Sequence, residues 1–535
     1  MVKKLTDICL KLNVITNQDL EQHTVLELCF IIVQRLNEVI DNYNNFIDRG
    51  LRNELLTIMN SWLEDGTMSE LVQQTAYQDL LKKLENRTAI SIKDFGAVGD
   101  GITDDTQAIQ AALDFAKDID RAVVIIPISE SPYIFTSLKV YDNTTIKGMG
   151  GVLKLKDAVC VNKAKAYYLL FNEGTVHYDS LIIDGNKDNN DKFVVADAIT
   201  CCNKNSKVTN CVIINPPDSG IMVSGVEMGQ CSNNTISGAS DLGIYVHALC
   251  EAKMDGCIIS NNVISDCIYG GIGVKRESKH VLISDNTIRN CGNGITLEDF
   301  TAISQGFPTN IQIVNNNITN IGFPFRGEPN VAERGISISK THGSMVSGNK
   351  IFNCSGECIV AENSQSTIIE NNTINGYPVN PHPNGNNGIV IVGDSYDLCI
   401  IGNRVTNVDG VGGYIKALTK SIITNNIFKS NRLFGLRVDT GCDNNYIVGN
   451  MCKGGSEGDA AIYPINSVYK DNMLMSLSGG SLFGVREYPA GQPMPTTAKL
   501  KPQYVGEILH HLGNNTWWVA NSLTEGDWVQ ISNQQ

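Results

Sequence analysis

Long apolar runs are missing from the 535-residue chain. The run nearest the start, Leu28 to Val33, is far short of the ~20 residues that a membrane span needs. Lys3 and Lys4 lead into no apolar stretch, so no signal peptide is read there. Positive charge is also scarce. Lys+Arg number 42 against 56 Asp+Glu, a net charge of −14. That balance excludes nucleic acid or an anionic membrane as partners held by the net field. Proline is sparse at 15 residues while glycine reaches 49, so the glycines do not belong to a Pro/Gly-rich linker. They punctuate something regular. A charged fraction of 18% beside 42% hydrophobic excludes wholesale disorder. The 16 cysteines contain no CxxC pair with zinc spacing, and they read as reduced thiols. No metal or cofactor is called for.

What the chain does contain is a repeat. An Asn followed two residues later, as a rule, by Ile or Val recurs at 210, 234, 262, 286, 316, 349, 372, 403, 425, 450 and 472, in steps of 22 to 33 residues. A second pattern keeps register with it: Gly, Ala or Cys, then apolar alternation. It begins at Gly220, Gly243, Gly271, Gly294, Gly335, Cys358, Gly388, Gly435 and Ala461. Period-2 alternation over a few residues is a strand with one face in a core. Asn and Gly between such runs are turn residues, because they tolerate left-handed backbone. Each unit is too small to bury its own apolar face. Stacking units ~4.8 Å apart buries a continuous core.

The predicted fold is therefore mainly β: a single-stranded solenoid, a parallel β-helix, with the anchor asparagines as a candidate internal ladder. The steps leave no room for helical crossovers, and leucine-rich repeat spacing is missing. Cys267, Cys291 and Cys354 each lie five residues after an anchor Asn and are predicted to be stacked core fillers.

Residues 1 to 88 read differently. Val25, Leu28, Ile32, Leu36, Val39, Tyr43 and Phe46 step by three or four, a narrow heptad-like seam that suits oligomeric attachment helices better than an intramolecular bundle. Thr67 and Glu70 make a capping box. Beyond residue 88, Thr103 is predicted to N-cap a helix of about 103–117, with Asp104 and Asp105 at the positive end of its dipole. Its apolar face would be Ile109, Ala112, Leu113 and Ala116, covering the first open rung.

The stretch from Asp94 to Leu113, DFGAVGDGITDDTQAIQAAL, resembles the opening of the pectate-lyase-like superfamily of right-handed parallel β-helices, which includes bacteriophage tailspikes and tail appendages. The resemblance covers roughly residues 90–480. It implies a virion tail protein made in the host cytoplasm and assembled as a homotrimer. It also implies attachment to other tail or collar proteins through the N-terminal helices. The expected partner is a host surface polysaccharide or wall teichoic acid, bound and cleaved; the alternative is a non-enzymatic receptor-binding fibre. Polygalacturonase signatures (NTD, GDD, RIK) are missing, which separates the fold from pectin chemistry. The expected domains are 1–88 helical, 89–484 β-helix and 485–535 a small C-terminal β module. That module carries Trp517, Trp518 and Trp528, read as a mini-core rather than a sugar platform.

Two long steps mark inserts, FPFRGEPNVAER (323–334) and YPVNPHPNG (377–385), and long loops on rigid scaffolds commonly build sites. Counting four residues on from each strand's first small residue gives an outward row: His247, Lys275, Glu298, Ser339, Glu362 and Asp439, with Asp394 six residues on in its own strand. Glu298 and Glu362, two rungs apart, would suit an inverting pair, and Glu362 with Asp394 a retaining one. Glu333 would overhang the groove. The candidate catalytic set is thus Glu298, Glu362, Asp394, Asp439 and Glu333. Arg334, Arg437, Lys340, His342 and Lys275 are the candidates for holding an anionic glycan. Lyase chemistry would instead use Lys275, His247 or Tyr245 beside Arg276. Asp184 to Asp191, DGNKDNND, reads as a turn loop rather than a calcium site.

Overall fold

The computed structural model describes residues 89–117, 119–162, 165–191, 195–224, 227–247, 254–298, 307–322, 333–376, 386–456, 458–462 and 466–474, together with the strands Val485–Tyr488, Ile508–His511, Thr516–Ala520 and Trp528–Ser532. The expected attachment helices, the Thr67–Glu70 capping box and nearly all of the two inserts lie outside the described residues. The chain forms two units, one of residues up to 153 with 176–181, the other of 154–175 with 182–535.

In the first unit, the strands Ala89–Ser91, Val123–Pro127, Thr144–Met149 and Val176–Asp179 pair successively in parallel. Helix α1, Thr106–Ala116, buries Ile109, Ala112, Leu113 and Ala116 as the sequence predicts. Its start differs from the expectation. Thr103 is not the N-cap: its N–H and hydroxyl both donate to Asp100, at 2.7 and 2.8 Å. Asp105 holds the N-cap position, and its carboxylate accepts from the Val98 and Gly99 N–H groups instead of from the helix. Asp100 and Asp105 of this opening motif thus tie its turns.

The second unit winds through three sheets in repeating order. One coil contributes Leu282–Ser284, Thr287–Arg289 and Asn293–Glu298; the next contributes Gln312–Val314, Asn317–Ile321 and Ile336–Ser339. Corresponding strands pair in parallel, residue for residue. On the first and second sheets burial alternates, as in Ile258–Ser260 and Thr235–Ser237, with one inward apolar residue per strand. Cys267, Cys291 and Cys354 are fully buried free thiols, as predicted.

The asparagines do form a ladder. Asn234, Asn262, Asn286, Asn316, Asn349, Asn372, Asn403, Asn426, Asn450 and Asn472 occupy the corner before each second-sheet strand. Each of the first nine donates a side-chain N–H to the next residue's Oδ1 at 2.9–3.0 Å. Two anchors shift by one residue: the ladder position is Cys211 rather than Asn210, and Asn426 rather than Asn425. Asn210 and Asn425 hold the preceding turn position, which is left-handed in both, with φ 57 and 56. The final repeat shifts as well: Leu436 pairs with Ala460, so Ala461 is not the counterpart of Gly435.

The recurrent Gly has a steric cause. A Cβ on Gly294 would stand 2.2 Å from the Gly335 carbonyl of the next coil and 2.8 Å from Ile318 Cγ2. Gly294→Ala is therefore expected to destabilise by about 3 kcal/mol, read as a lower urea midpoint. An unchanged midpoint would show that the corner can relax.

A separate four-stranded sheet, Val485–Tyr488, Ile508–His511, Thr516–Ala520 and Trp528–Ser532, closes the described chain. Trp518 and Trp528 are buried, which fits a mini-core.

Candidate functional site

The third sheet breaks the burial pattern. Its inward rows are apolar, Ile199–Ile221–Ile244–Ile272–Ile295–Ile336 and their neighbours two residues on. Alternation then puts Thr200, Met222, Tyr245, Gly273, Thr296 and Ser337 on the outer face in one register row. Yet Thr200, Met222, Thr296 and Ser337 are buried, as are Ser224 and His247 beside them. The hydroxyls of Thr200, Ser224 and Thr296 make no hydrogen bond among the described residues. Buried hydroxyls without partners are unusual in a native fold, and here they line one strip of sheet. The segments 248–253, 299–306, 323–332 and 377–385, outside the described residues, all leave or enter the strands of this sheet.

At one end of the strip lies an acidic cluster that the sequence reading missed. Asp218 and Asp241 precede successive third-sheet strands, and the Asp241 N–H donates to the Asp218 carbonyl at 3.2 Å. Asp197 is 1% exposed, and its Oδ1 has no partner among the described residues. Burial pushes the Asp197 carboxyl up to about 7, opposed by the Ser219 hydroxyl and reinforced by the Asp241 charge. Burial likewise pushes Asp218 up to about 8, with Asp197 and Asp241 adding to it. Tyr245 on the same face is raised to about 12, chiefly by burial. Its ring stacks on His247 with centroids 4.7 Å apart. The Lys275 ammonium sits 4.9 Å from the Tyr245 ring centre and 5.5 Å from that of Tyr269. Carboxyl groups, a phenol, an imidazole and an ammonium thus share one partly dry surface. That is the environment in which one carboxyl keeps its proton at neutral pH while another does not.

The raised Asp197 carboxyl has a consequence for stability. A carboxyl whose folded pKa lies above its unfolded value stabilises the fold fully below the ordinary carboxylate pKa, ~4, and that contribution is lost as pH rises through the folded pKa. The protein's Tm is therefore expected to fall between pH 5 and pH 8.5, and Asp197→Asn to fall less. Calorimetry across that range checks it, and parallel curves for the two proteins would contradict it.

The sequence-predicted residues scatter along the helix. Ser224, His247, Lys275 and Glu298 form one register row, and Ser339, Glu362 and Val392 continue the pattern farther along. Glu362 is therefore level with Val392, not with Asp394, and the expected Glu362–Asp394 pair does not form on that row. The Glu298 side chain lies outside the described residues. Asp439 accepts from Arg437 Nε at 2.8 Å, and the Arg437 guanidinium lies 5.1 Å from the Tyr414 ring centre. Glu333 is buried just before the strand Ile336–Ser339. Arg334 donates to the Ser337 hydroxyl at 3.2 Å. Lys340, His342 and Asp394 do come together, in a surface pocket of about 350 Å³. In the DGNKDNND loop, Asn186 takes a left-handed turn, with its N–H donating to Asp184 and its amide to Asp157. No group of three potential metal ligands occurs among the described residues.

The family model for the right-handed β-helix region matches residues 197–374 and 334–472, together about half of the chain. The chain belongs to the right-handed β-helix family. This gives the hand of the coil and agrees with the parallel pairing above. Among curated proteins, the pre-neck appendage protein of Bacillus phage B103 is 26% identical over 322 residues, covering 52% of this chain and 36% of that protein. A capsule K30/K69-specific depolymerase of Klebsiella phage K64-1 is 26% identical over 309 residues, covering 53% of this chain and 37% of that protein. The chain spans between about a third and about half of the length of the curated relatives it matches. Among solved structures, pre-mature bacteriophage phi29 gene product 12 aligns at 17% identity with a TM-score of 0.54, over 78% of this chain and 62% of that one. That likeness concerns the fold. The family match begins at Asp197, the first residue of the acidic cluster, and also contains Asp218, Asp241, Tyr245 and Lys275.

One signal could have found the cluster. Asp218 and Asp241 each stand two residues before the small residue that opens a strand, Gly220 and Gly243. Counting backwards from those glycines as well as forwards would have exposed the pair.

Proposed function

We propose that this chain is the β-helical part of a phage tail appendage that binds and cleaves a host cell-surface glycan. The observation that carries the reading is the Asp197–Asp218–Asp241 cluster beside Tyr245 and Lys275, at the end of a strip of buried hydroxyls that make no hydrogen bond among the described residues. Similarity to phage pre-neck appendage proteins and to a phage capsule depolymerase supports the setting. Asp218, protonated in the neutral range, acts as the general acid on the leaving glycosidic oxygen. Asp241, which raises both neighbours, is the second carboxyl of the pair. Asp218 and Asp241 stand on adjacent coils, ~4.8 Å apart, and carboxyls ~5 Å apart suit a retaining course. Lys275 holds the glycan chain. Glu298 and Glu362, two coils apart on the row six residues farther along the strands, form the competing acid pair.

The test is glycan shortening by wild type beside Asp218→Asn, Asp241→Asn, Glu298→Gln and Glu362→Gln, read by size exclusion of capsular polysaccharide and of wall teichoic acid. Loss in the two aspartate variants supports the reading. Loss confined to the glutamate variants moves the acids to the other row. Binding without shortening by any protein turns the reading to a receptor-binding fibre. We further propose the homotrimer and N-terminal attachment as its quaternary frame; sedimentation of the full chain checks the first.

A further inference from the structure

A second place on the molecule has the makings of a sugar site. Between the third and first sheets runs a ladder one residue wide, in which Lys279, Thr309, His342, Gln365 and Tyr396 bridge in parallel from coil to coil. The 350 Å³ pocket lies on this corner, lined by Phe307, Thr309, Lys340, Thr341, His342, Asn363, Gln365 and Asp394. Three of its features point to a ligand. Phe307 is 46% exposed, so an aromatic face is offered to solvent at the pocket's edge. The Lys340 ammonium lies 5.7 Å from that ring's centre. Thr341 is 2% exposed, lines the pocket, and its hydroxyl makes no hydrogen bond among the described residues.

The polar groups are fixed in place by the backbone. Asn363 Oδ1 accepts from the Asp394 N–H at 2.9 Å, over the left-handed turn at Gly393, and this orients the exposed Asp394. Gln365 Oε1 accepts from the Tyr396 hydroxyl at 2.7 Å, which leaves its amide N–H₂ to donate outward. A planar carboxylate, planar amides and an ammonium around an exposed aromatic ring match what a pyranose presents: vicinal hydroxyls at its edge and C–H groups on its face. The acidic cluster lies several coils away, too far for one sugar residue to touch both.

We propose that this pocket is a pyranose-binding subsite, separate from the acidic cluster, that holds another residue of the same surface glycan. The proposal rests on the glycan reading for its ligand, but not on cleavage. Phe307 carries the apolar face of the sugar ring. Asp394, Gln365 and Lys340 bind its hydroxyls, and Thr341, whose hydroxyl makes no hydrogen bond among the described residues, pairs with another. Holding the polymer at two points along the helix axis raises the effective concentration of the chain at the acids without any new contact there.

Ligand-observed saturation-transfer NMR on the full chain tests it. The probes are the methyl glycosides of glucose, galactose, N-acetylglucosamine and glucuronic acid at millimolar concentration. At least one glycoside is expected to receive saturation from the wild type. That signal should fall about fivefold in Phe307→Ala, and also fall in the isosteric Thr341→Val, but persist in Asp218→Asn. No transfer to any of the four, or transfer unchanged by Phe307→Ala, overturns the subsite, as does transfer lost in Asp218→Asn alone. Glycan shortening measured on the same proteins separates the two readings. Phe307→Ala should weaken the dependence on long chains while still cleaving, whereas Asp218→Asn should bind glycoside and not cleave.

Discussion

Asp218→Asn is expected to lower the rate of glycan shortening by about 10²–10⁴-fold, the usual worth of a positioned general acid. Asn keeps the shape of the side chain, so the fold should survive, but it has no proton to give. The pH dependence carries a sign. Burial and two neighbouring carboxyls push Asp218 up to about 8, so the protonated acid is present through neutrality. The wild-type rate should therefore fall as pH rises past that value. Asp241→Asn removes the second carboxyl of the pair and should be similarly slow, while Asp218 loses a neighbour that holds its proton on. Glu298→Gln and Glu362→Gln should stay within a few-fold of wild type. Reducing-end release at pH 5 to 9 measures all of these together. A flat alkaline limb in the wild type would remove Asp218 from the role of acid.

Asn316→Ala is expected to be the most damaging single change in the described coil. Asn316 is 0% exposed. Its Oδ1 accepts from the N–H and the amide of Asn286, both at 3.0 Å. Its amide donates to the Ile283 carbonyl at 2.9 Å and to Asn349 at 3.0 Å. Truncation leaves donors and acceptors on both neighbouring coils buried and unpaired, at ~1–3 kcal/mol each, so about 5 kcal/mol in all is expected. Asn315 beside it is the control. It holds the left-handed turn, φ 56, and accepts no ladder bond. Asn315→Gly should therefore change stability by only a few tenths of a kcal/mol, because glycine adopts that conformation readily. Urea unfolding of the two variants beside wild type reads the contrast. Equal losses would mean that the ladder stabilises no more than the turn does.

The coil itself was legible because it repeats. Period-2 apolar runs, Asn–x–Ile corners and the small residue at each strand start are local signals, and repetition averages out the noise in any one of them. One error came where two asparagines adjoin. Asn425 has the Ile two residues on, Asn426 takes the ladder, and only the hydrogen bonds separate the turn residue from the ladder residue. The helix start shows the same limit. Thr103 has the right type for a cap, but Asp100, three residues earlier, takes both its N–H and its hydroxyl.

The candidate site was legible only in part. Lys340, His342 and Asp394 come from two different coils, and they meet because the chain turns the same corner after each third-sheet strand. Forward counting along strands paired Asp394, six residues on from Gly388, with Glu362, because it could not see that the strand Ile389–Val392 ends before Asp394. The Asp197 cluster was missed for a different reason. The spacing of Asp218 and Asp241 before Gly220 and Gly243 was there to count, but the burial that sets these carboxyls apart is a property of the folded coil.

The proposed cleavage of a surface glycan turns on Asp218. The most direct measurement is size exclusion of purified capsular polysaccharide and wall teichoic acid before and after incubation with wild type and with Asp218→Asn. Shortened chains with the wild type, and full-length chains with a variant that still binds them, are the predicted result. Equal shortening by both proteins, or none by either, would contradict it.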